Sequence, residues 1–488
     1  MSEFLLELYS EEIPTKLQIN AREELKSSLE KSFKEESLKY KSILSYSSPT
    51  RVTVSIKDIP EKVKIPTREI KGPKVGVLED ILNSFMRAHN VVKKDVFEKE
   101  NEKGKFYYIK TKPREILSKD LLTKIILNSI ASLSWQKSMK WSNNDLMWGR
   151  PLRSILSIFN KKHLPFTLGH IKSTDTLLVE QNFLTKYKKV KTFNEYSLFL
   201  KKQNIIINQE EREKKILKRF ESICKNKNYE QKFNKQLLEE VVNLVDNPNI
   251  LLIDYNKNYL EIPKEIIIST LESHQRYFPL FDKKERLTNY FFVVANKSDP
   301  KNIIKEGNKK VVEARLSDAN FFWDKDKSKN LIKQIGKLKD ITFYDELGTI
   351  YDKTQRIRKM SSLVSDELNI SKEKIQIAAS ISKSDLCSDL VGEYPELQGI
   401  MGKYFALAQG FEEDVANAVS DHYLPIGTSS PVPKKPISYS ISIVDKLRGS
   451  SKLDFHMIGA SDFKVGDDLN PNIASIDTLD GETTDYAI

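Results

Sequence analysis

The 488-residue sequence has few of the groups that mark compact catalytic chemistry. It holds two cysteines, Cys224 and Cys387, too few for a disulfide framework and suited to a reducing compartment. Its 17 glycines never recur as G-x-G, and no G-K-[ST] follows a glycine at phosphate-loop spacing, so both common backbone cradles for nucleotide phosphates are excluded. The six histidines (His89, His163, His170, His274, His422, His456) are scattered, without H-E-x-x-H or a cysteine pair, and no zinc site is expected. There is no G-x-S-x-G elbow to raise a nucleophilic serine. No run approaches the roughly 18 apolar residues that span a bilayer. The opening Met1-Ser2-Glu3-Phe4-Leu5-Leu6-Glu7 lacks the basic and apolar regions of a secretory signal. The expectation is a soluble, cytoplasmic chain without membrane association.

What is present is enough to build cores. Hydrophobic residues make up 39% and aromatics 9%, and the length suits about three domains. Lys+Arg 79 against Asp+Glu 68 gives +11. Abundant lysine and asparagine also follow from AT-rich coding, so charge alone does not define a nucleic-acid partner. The charge is uneven: Gly449 to Ile488 carries eight acids and two bases, a net of −6, which leaves +17 on the first 448 residues.

Periodicity orders the chain. Phe4, Leu6 and Leu8 predict a strand, and Leu17, Ala21, Leu25, Leu29 and Phe33, four apart after Pro14, predict a helix. Val52, Val54 and Ile56 alternate with Thr53, Ser55 and Lys57 in a second strand, entered through the turn Ser48-Pro49-Thr50-Arg51. Helices are expected over 78–92 and 115–139, with a strand at 105–109 between them. Residues 185–240, dense in Lys, Asn and Glu, read as exposed helix and linker. Buried strands are expected at Ile250–Ile253 and Phe291–Ala295. From about 350 the spacing is helical, with Ile357, Met360, Val364 and Leu368 on one face, then Ala378, Ile381 and Leu386, and last Ile437, Ile441 and Val444. The organisation expected is α+β and multidomain: a mixed α/β region over 1–335, a helical region over 336–448, and a poorly ordered acidic tail over 449–488.

Two fragments imitate class I aminoacyl-tRNA synthetase boxes: Lys359-Met360-Ser361-Ser362 and His456-Met457-Ile458-Gly459. Their order is the reverse of that class, and Met360 sits on an apolar helical stripe, so core packing is the better reading. Asp421-His422 is the reverse of the doublet used by HD-type metal-dependent phosphohydrolases, and upstream stand Lys383 and Asp385 where that chemistry needs a histidine.

A series of blocks carries a resemblance. Glu7-Leu8-Tyr9-Ser10-Glu11-Glu12-Ile13-Pro14, Ser48-Pro49-Thr50-Arg51-Val52, Ile70-Lys71-Gly72-Pro73, Met139-Lys140-Trp141 and Trp148-Gly149-Arg150-Pro151 come first. Glu240-Val241-Val242-Asn243-Leu244-Val245-Asp246-Asn247-Pro248, Leu260-Glu261-Ile262-Pro263 and His274-Gln275-Arg276-Tyr277-Phe278-Pro279 follow. Asn308 to Ala319 and Gly392-Glu393-Tyr394-Pro395-Glu396-Leu397-Gln398-Gly399-Ile400-Met401-Gly402 close the series. In this order they resemble the bacterial glycyl-tRNA synthetase beta subunit over residues 1 to about 447. Thr50 replaces a usual second arginine. After Leu447 the family pattern of a long helical anticodon-binding domain is replaced by the acidic ending, which reads as a truncated or rearranged chain.

The resemblance implies a beta subunit of a heteromeric glycine–tRNA ligase, inactive alone, that binds tRNA-Gly and supports ATP-dependent attachment of glycine by an alpha subunit in an α2β2 enzyme. It implies an HD-like helical domain without the metal set, no metal and no cofactor bound by this chain, and ATP and Mg used by the holoenzyme. Candidate tRNA contacts in the matched blocks are Arg51, Arg68, Lys71, Lys74, Arg276, Tyr277, Lys309, Lys310 and Arg315, cations for phosphates and an aromatic for unpaired bases. Phe321, Phe322 and Trp323 read first as core. Glu11 and Glu12 read as helix-start residues ahead of a subunit contact, and Glu393, Pro395, Glu396 and Gln398 read as domain-shaping or interface residues. The alternatives are an HD-type metal-dependent phosphohydrolase and a non-catalytic RNA-binding remnant.

Overall fold

A computed structural model describes residues 2–447 except 66–68, 102–103, 111–113, 142–144, 182, 233, 345–346 and 427–429. Arg68, His456–Gly459 and the acidic tail lie outside the described residues. The fold is mixed α and β with several sheets, and it forms two compact units. The first takes Met1–Asn226, Phe233–Leu251 and Val294–Ser298; the second takes Lys227–Lys232, Leu252–Val293 and the described chain from Asp299. Residues 252–293 and 299–335 thus group with the helices that follow them.

The first unit begins β1 (Ser2–Ser10), α1 (Thr15–Glu35), β2 (Ser42–Ser48), β3 (Arg51–Ile59), β4 (Lys62–Ile65), β5 (Glu69–Lys74) and α2 (Glu79–Ala88). It continues β6 (Val96–Asn101), β7 (Gly104–Lys110), β8 (Arg114–Leu117), α3 (Ser118–Ala131), β9 (Leu152–Phe159), β10 (Lys162–His163), β11 (Thr167–Leu168) and β12 (Ile171–Thr174). The hairpin β13 (Thr176–Gln181) and β14 (Leu184–Lys189) precedes α4 (Phe193–Lys202), α5 (Gln209–Lys227) and α6 (Lys235–Leu244). Seven strands form the main sheet in the order β11–β12–β9–β1–β3–β2, with β10 on β9.

Alternation divides this sheet between two cores. Phe4, Leu6, Leu8, Val52, Val54 and Ile56 enter one cluster with the α1 stripe (Leu17, Ala21, Leu25, Leu29, Phe33) and with α3. Full burial of each large member contributes about 1.5–3 kcal/mol. Leu5, Leu156 and Ile158 point the other way, against Leu177 and Val179 of β13 and Tyr196 and Leu200 of α4. Thr53 and Ser55, which alternation alone assigns to a solvent face, are therefore buried. The α3 helix starts at Ser118, later than 115, because Arg114–Leu117 pairs with β4. Residues 185–240 are more deeply packed than their composition suggests: Arg212, Ile216 and Phe220 of α5 are buried, and Arg212 donates to the carbonyls of Ser47, Ile206, Ile207 and Val242.

The second unit carries most of a four-stranded sheet, β15 (Tyr229–Glu230), β16 (Asn249–Asp254), β17 (Phe278–Asp282) and β18 (Leu287–Ala295), in the order β15–β17–β18–β16. Its helices are α7 (Lys264–Ser269), α8 (Ile303–Lys327) and α9 (Leu331–Gln334), then α10 (Ile350–Glu367), α11 (Lys372–Ile381) and α12 (Asp389–Glu393). α13 (Ile400–Ala408), α14 (Glu413–Asp421) and α15 (Pro436–Leu447) complete it. The region from 336 is not all helical, since β19 (Thr342–Tyr344) and β20 (Gly348–Thr349) form a short hairpin. That hairpin delivers Thr349 to the N-terminus of α10, where its hydroxyl accepts from the Asp352 amide and the Asp352 carboxylate accepts from the Thr349 amide. No described helix is long and apolar enough to cross a membrane.

Candidate nucleic-acid interface and buried polar centres

The first two matched blocks meet in the core of the first unit. β1 and β3 pair Glu7 with Thr53 and Tyr9 with Arg51. The Arg51 guanidinium lies 3.3 Å from the Glu7 carboxylate, donates to the Leu178 carbonyl at 2.8 Å and covers the Tyr9 ring at 4.2 Å. Tyr196 donates to Glu7 at 2.6 Å and sits 2.9 Å from the Thr53 hydroxyl. Burial pushes the Glu7 carboxyl above its ordinary range, although Arg51 and Tyr196 pull it down. Arg51 is 1% exposed, which corrects its assignment as a phosphate contact: its charge is spent on Glu7 and no face meets solvent. Glu11 reaches Arg153 at 2.6 Å, and α1 begins after Pro14 with no acidic residue in its first turn, so neither glutamate caps it.

Lys71 and Lys74 stand exposed on β5, with the Lys71 ammonium 3.4 Å from the centre of the Phe106 ring. In the second unit Arg276 is exposed at φ 58° and donates to the Ser273 carbonyl. Tyr277 is instead buried, stacked on Phe291 at 5.4 Å with its hydroxyl donating to Asn308, so no ring face is left for a base. Along α8, Val312, Leu316 and Ala319 face the core; Lys310 and Phe321 are exposed on the opposite side, and Arg315 is exposed on the flank of the core face, near enough to Tyr394 to act on its hydroxyl. Lys309 is half-buried and bonded to Asp254 at 2.8 Å; that bond raises the lysine and lowers the aspartate. Trp323 is half-buried and stacks on Phe405 at 5.6 Å, whereas Phe321 is 62% exposed and does not fit the core assignment.

Two further blocks converge within the second unit. Glu396 accepts from Ser269 and lies 3.1 Å from His274 Nε2, and Tyr394 takes a hydrogen bond from Thr270 at 3.1 Å. Glu396 is itself exposed, so this contact ties the 392–402 block to the 269–274 segment at the surface of the unit.

Among the helices, Lys383, Asp385 and His422 are buried together with two residues the sequence pattern did not single out, Lys353 and Asp445. Asp445 pairs with Lys383 at 2.9 Å and Lys353 at 2.8 Å, and His422 Nε2 lies 3.9 Å from it. Asp385 accepts from the amides of Gly399 at 2.5 Å and Gly402 at 3.2 Å. Those glycines are required: a Cβ on Gly402 would sit 2.6 Å from Val419, and one on Gly399, whose φ is +79°, would sit 2.5 Å from Tyr423. Burial raises Asp385 to about 6 and, with Lys383 nearby, lowers His422 to about 3. Burial also opposes ionisation of Asp445, but Lys383, His422 and Lys353 overcome it and hold the carboxyl below its usual range. Two ammoniums thus balance the charge, and no described group of three or more His, Cys, Asp or Glu is placed to hold a metal.

The family described as the glycyl-tRNA synthetase beta subunit matches residues 4–453. The chain therefore belongs to that family. It is 38% identical over 439 residues to the Glycine–tRNA ligase beta subunit of Rickettsia felis, covering 89% of this chain and 65% of that protein. The Rickettsia bellii protein of the same description is 38% identical over 451 residues, 92% of this chain and 67% of its own length. That of Rickettsia prowazekii is 36% identical over 450 residues, 92% and 66%. The chain spans about two thirds of the length of these relatives.

Proposed function

We propose that the chain acts as the beta subunit of a heteromeric glycine–tRNA ligase. It binds tRNA-Gly and presents it to an alpha subunit, in an α2β2 assembly, where ATP and Mg drive attachment of glycine. The carrying observation is the family match over residues 4–453, with the motif blocks in family order. The polar centres agree with an accessory role, because the ionisable groups that gather in each unit are paired with one another inside the core. Lys310 and Arg315 of α8 remain as exposed candidate phosphate contacts, with Lys71 and Lys74 on β5 and Arg276 at its turn. The helices from α10 to α15 read as an HD-like domain in which Lys353 and Lys383 supply the positive charge a metal would bring. This arrangement does not favour the phosphohydrolase alternative, since both Asp445 oxygens already face ammoniums.

The test mixes the chain with purified alpha subunit, glycine, ATP, Mg and tRNA-Gly. Capture of the alpha subunit and charging that needs both chains are the expected results. Glycine-dependent ATP–pyrophosphate exchange by this chain alone would reassign the chemistry. Failure to capture the alpha subunit would leave a non-catalytic RNA-binding protein.

A further inference from the structure

The three strands β5–β7–β6 form a separate small sheet whose register fixes which side chains share a face. Glu69 pairs with Lys110, Lys71 with Tyr108 and Lys74 with Phe106. On the other edge Phe97 pairs with Tyr108 and Lys99 with Phe106. Side chains alternate along each strand. One face therefore carries Phe97, Phe106 and Tyr108 among Lys71, Lys74, Lys99 and Lys110, with Glu69 as its acid. Ile70, Val96, Tyr107 and Ile109 take the opposite face, where Ile109 is buried. On the first face the three rings are only half-buried and all four lysines are exposed.

The ammoniums already use the rings. Lys71 lies 3.4 Å from the Phe106 centroid, Lys110 5.4 Å from Phe97 and Lys99 5.7 Å from Tyr108, and the Phe97 and Tyr108 rings stack at 5.9 Å. Glu69 holds Lys99 at 2.7 Å and Lys110 at 3.9 Å, one carboxylate against four cations. Protein interfaces exclude lysine from their aromatic centres. A strip of ring faces interleaved with cations instead matches unpaired nucleotides, whose bases stack and whose phosphates need neutralising.

We propose that this face is a stacking platform for single-stranded RNA. Phe97, Phe106 and Tyr108 take base faces; each base displaces an ammonium, and Lys71, Lys99 or Lys110 moves to the adjoining phosphate. The proposal rests on the chain handling RNA and adds where an unpaired stretch is held. Fluorescence anisotropy of the full chain with a short unstructured RNA strand, and with the same sequence as a blunt duplex, tests it. The double variant Phe106→Leu/Tyr108→Leu keeps apolar bulk and removes the aromatic faces. It is expected to bind the strand about tenfold or more weakly, because two base-stacking faces are lost, with duplex affinity changed less than about twofold. Should the leucine pair unfold by circular dichroism, Lys71→Gln/Lys74→Gln, which removes the two lysines of this face that Glu69 does not hold, decides, with an expected fall of about 1.4 in the single-strand salt slope. Wild-type affinity in folded variants, no strand binding by the wild type, or retained strand binding with lost capture of the alpha subunit overturns the proposal. tRNA charging that survives those outcomes leaves the ligase reading intact, whereas absent charging with normal strand binding damages that reading alone.

Discussion

Arg51 and Glu7 show how a residue's neighbours decide its task. A buried ion pair gains little over an apolar pair of the same shape, but removing one partner strands a charge and costs about 3–5 kcal/mol. Arg51→Met is therefore expected to lower the urea stability of the chain by about that amount. Glu7→Leu/Arg51→Met should recover much of the loss, and a single variant as stable as wild type would contradict the buried pair. At conditions where the variant stays folded, its tRNA affinity should match wild type, because the guanidinium never reaches solvent. His422 makes a second case. Unfolded histidine titrates near about 6.5, whereas folded His422 is held down to about 3, so stability present above pH 6.5 is lost as pH falls through that window. Asp385, raised to about 6, works in the opposite direction between its unfolded value of about 3.9 and that point. Wild type should therefore lose roughly 1–2 kcal/mol of its advantage over His422→Asn between pH 7 and pH 5. Parallel pH–stability curves for the two proteins would show that His422 does not titrate this way.

At the level of elements, what periodicity can reveal was readable and what partners impose was not. The α1 stripe and the alternation of β1 and β3 identified core faces, because one buried face imprints its spacing on the sequence. Burial of Thr53 and Ser55 depended on β13 and α4, more than 120 residues away in the case of Tyr196 and Thr53, and no local pattern records that. The same holds for the site: Lys383, Asp385 and His422 drew notice as a failed metal motif, but Lys353 and Asp445 join them only through the packing of α10 and α15. The start of α13 has no room for a methyl group at either of its two glycines. Gly402→Ala must push into Val419 Cγ1 and the Asp385 carboxylate, and Gly399→Ala must also hold φ +79°. Overpacking and left-handed strain each cost about 1–3 kcal/mol, so both variants should melt lower, whereas Gly307→Ala, within α8 and meeting nothing within 4 Å, should melt slightly higher, by about 0.5–1 kcal/mol of helix preference. A Gly402→Ala protein melting with wild type would mean that the Asp385 cradle is looser than its geometry.

Over the whole molecule the sign of charge matters more than any one cation. Residues 1–448 carry +17 against an ending of −6, so an RNA partner meets a broad positive field. Such binding releases counterions and weakens with salt in proportion to the phosphates neutralised, about 0.9 of a logarithmic unit per contact on duplex regions. Lys310 and Arg315 are exposed on α8, while Lys309 is held by Asp254. Lys310→Ala/Arg315→Ala should therefore weaken tRNA-Gly binding and flatten its salt dependence by nearly two units of slope. Lys309→Ala should change the slope far less, because that ammonium is already neutralised within the protein. Filter binding of the full chain to tRNA-Gly across a salt series separates the two. A double variant with the wild-type slope would move the RNA away from α8, and a large effect of Lys309→Ala would mean that its bond to Asp254 opens when RNA arrives.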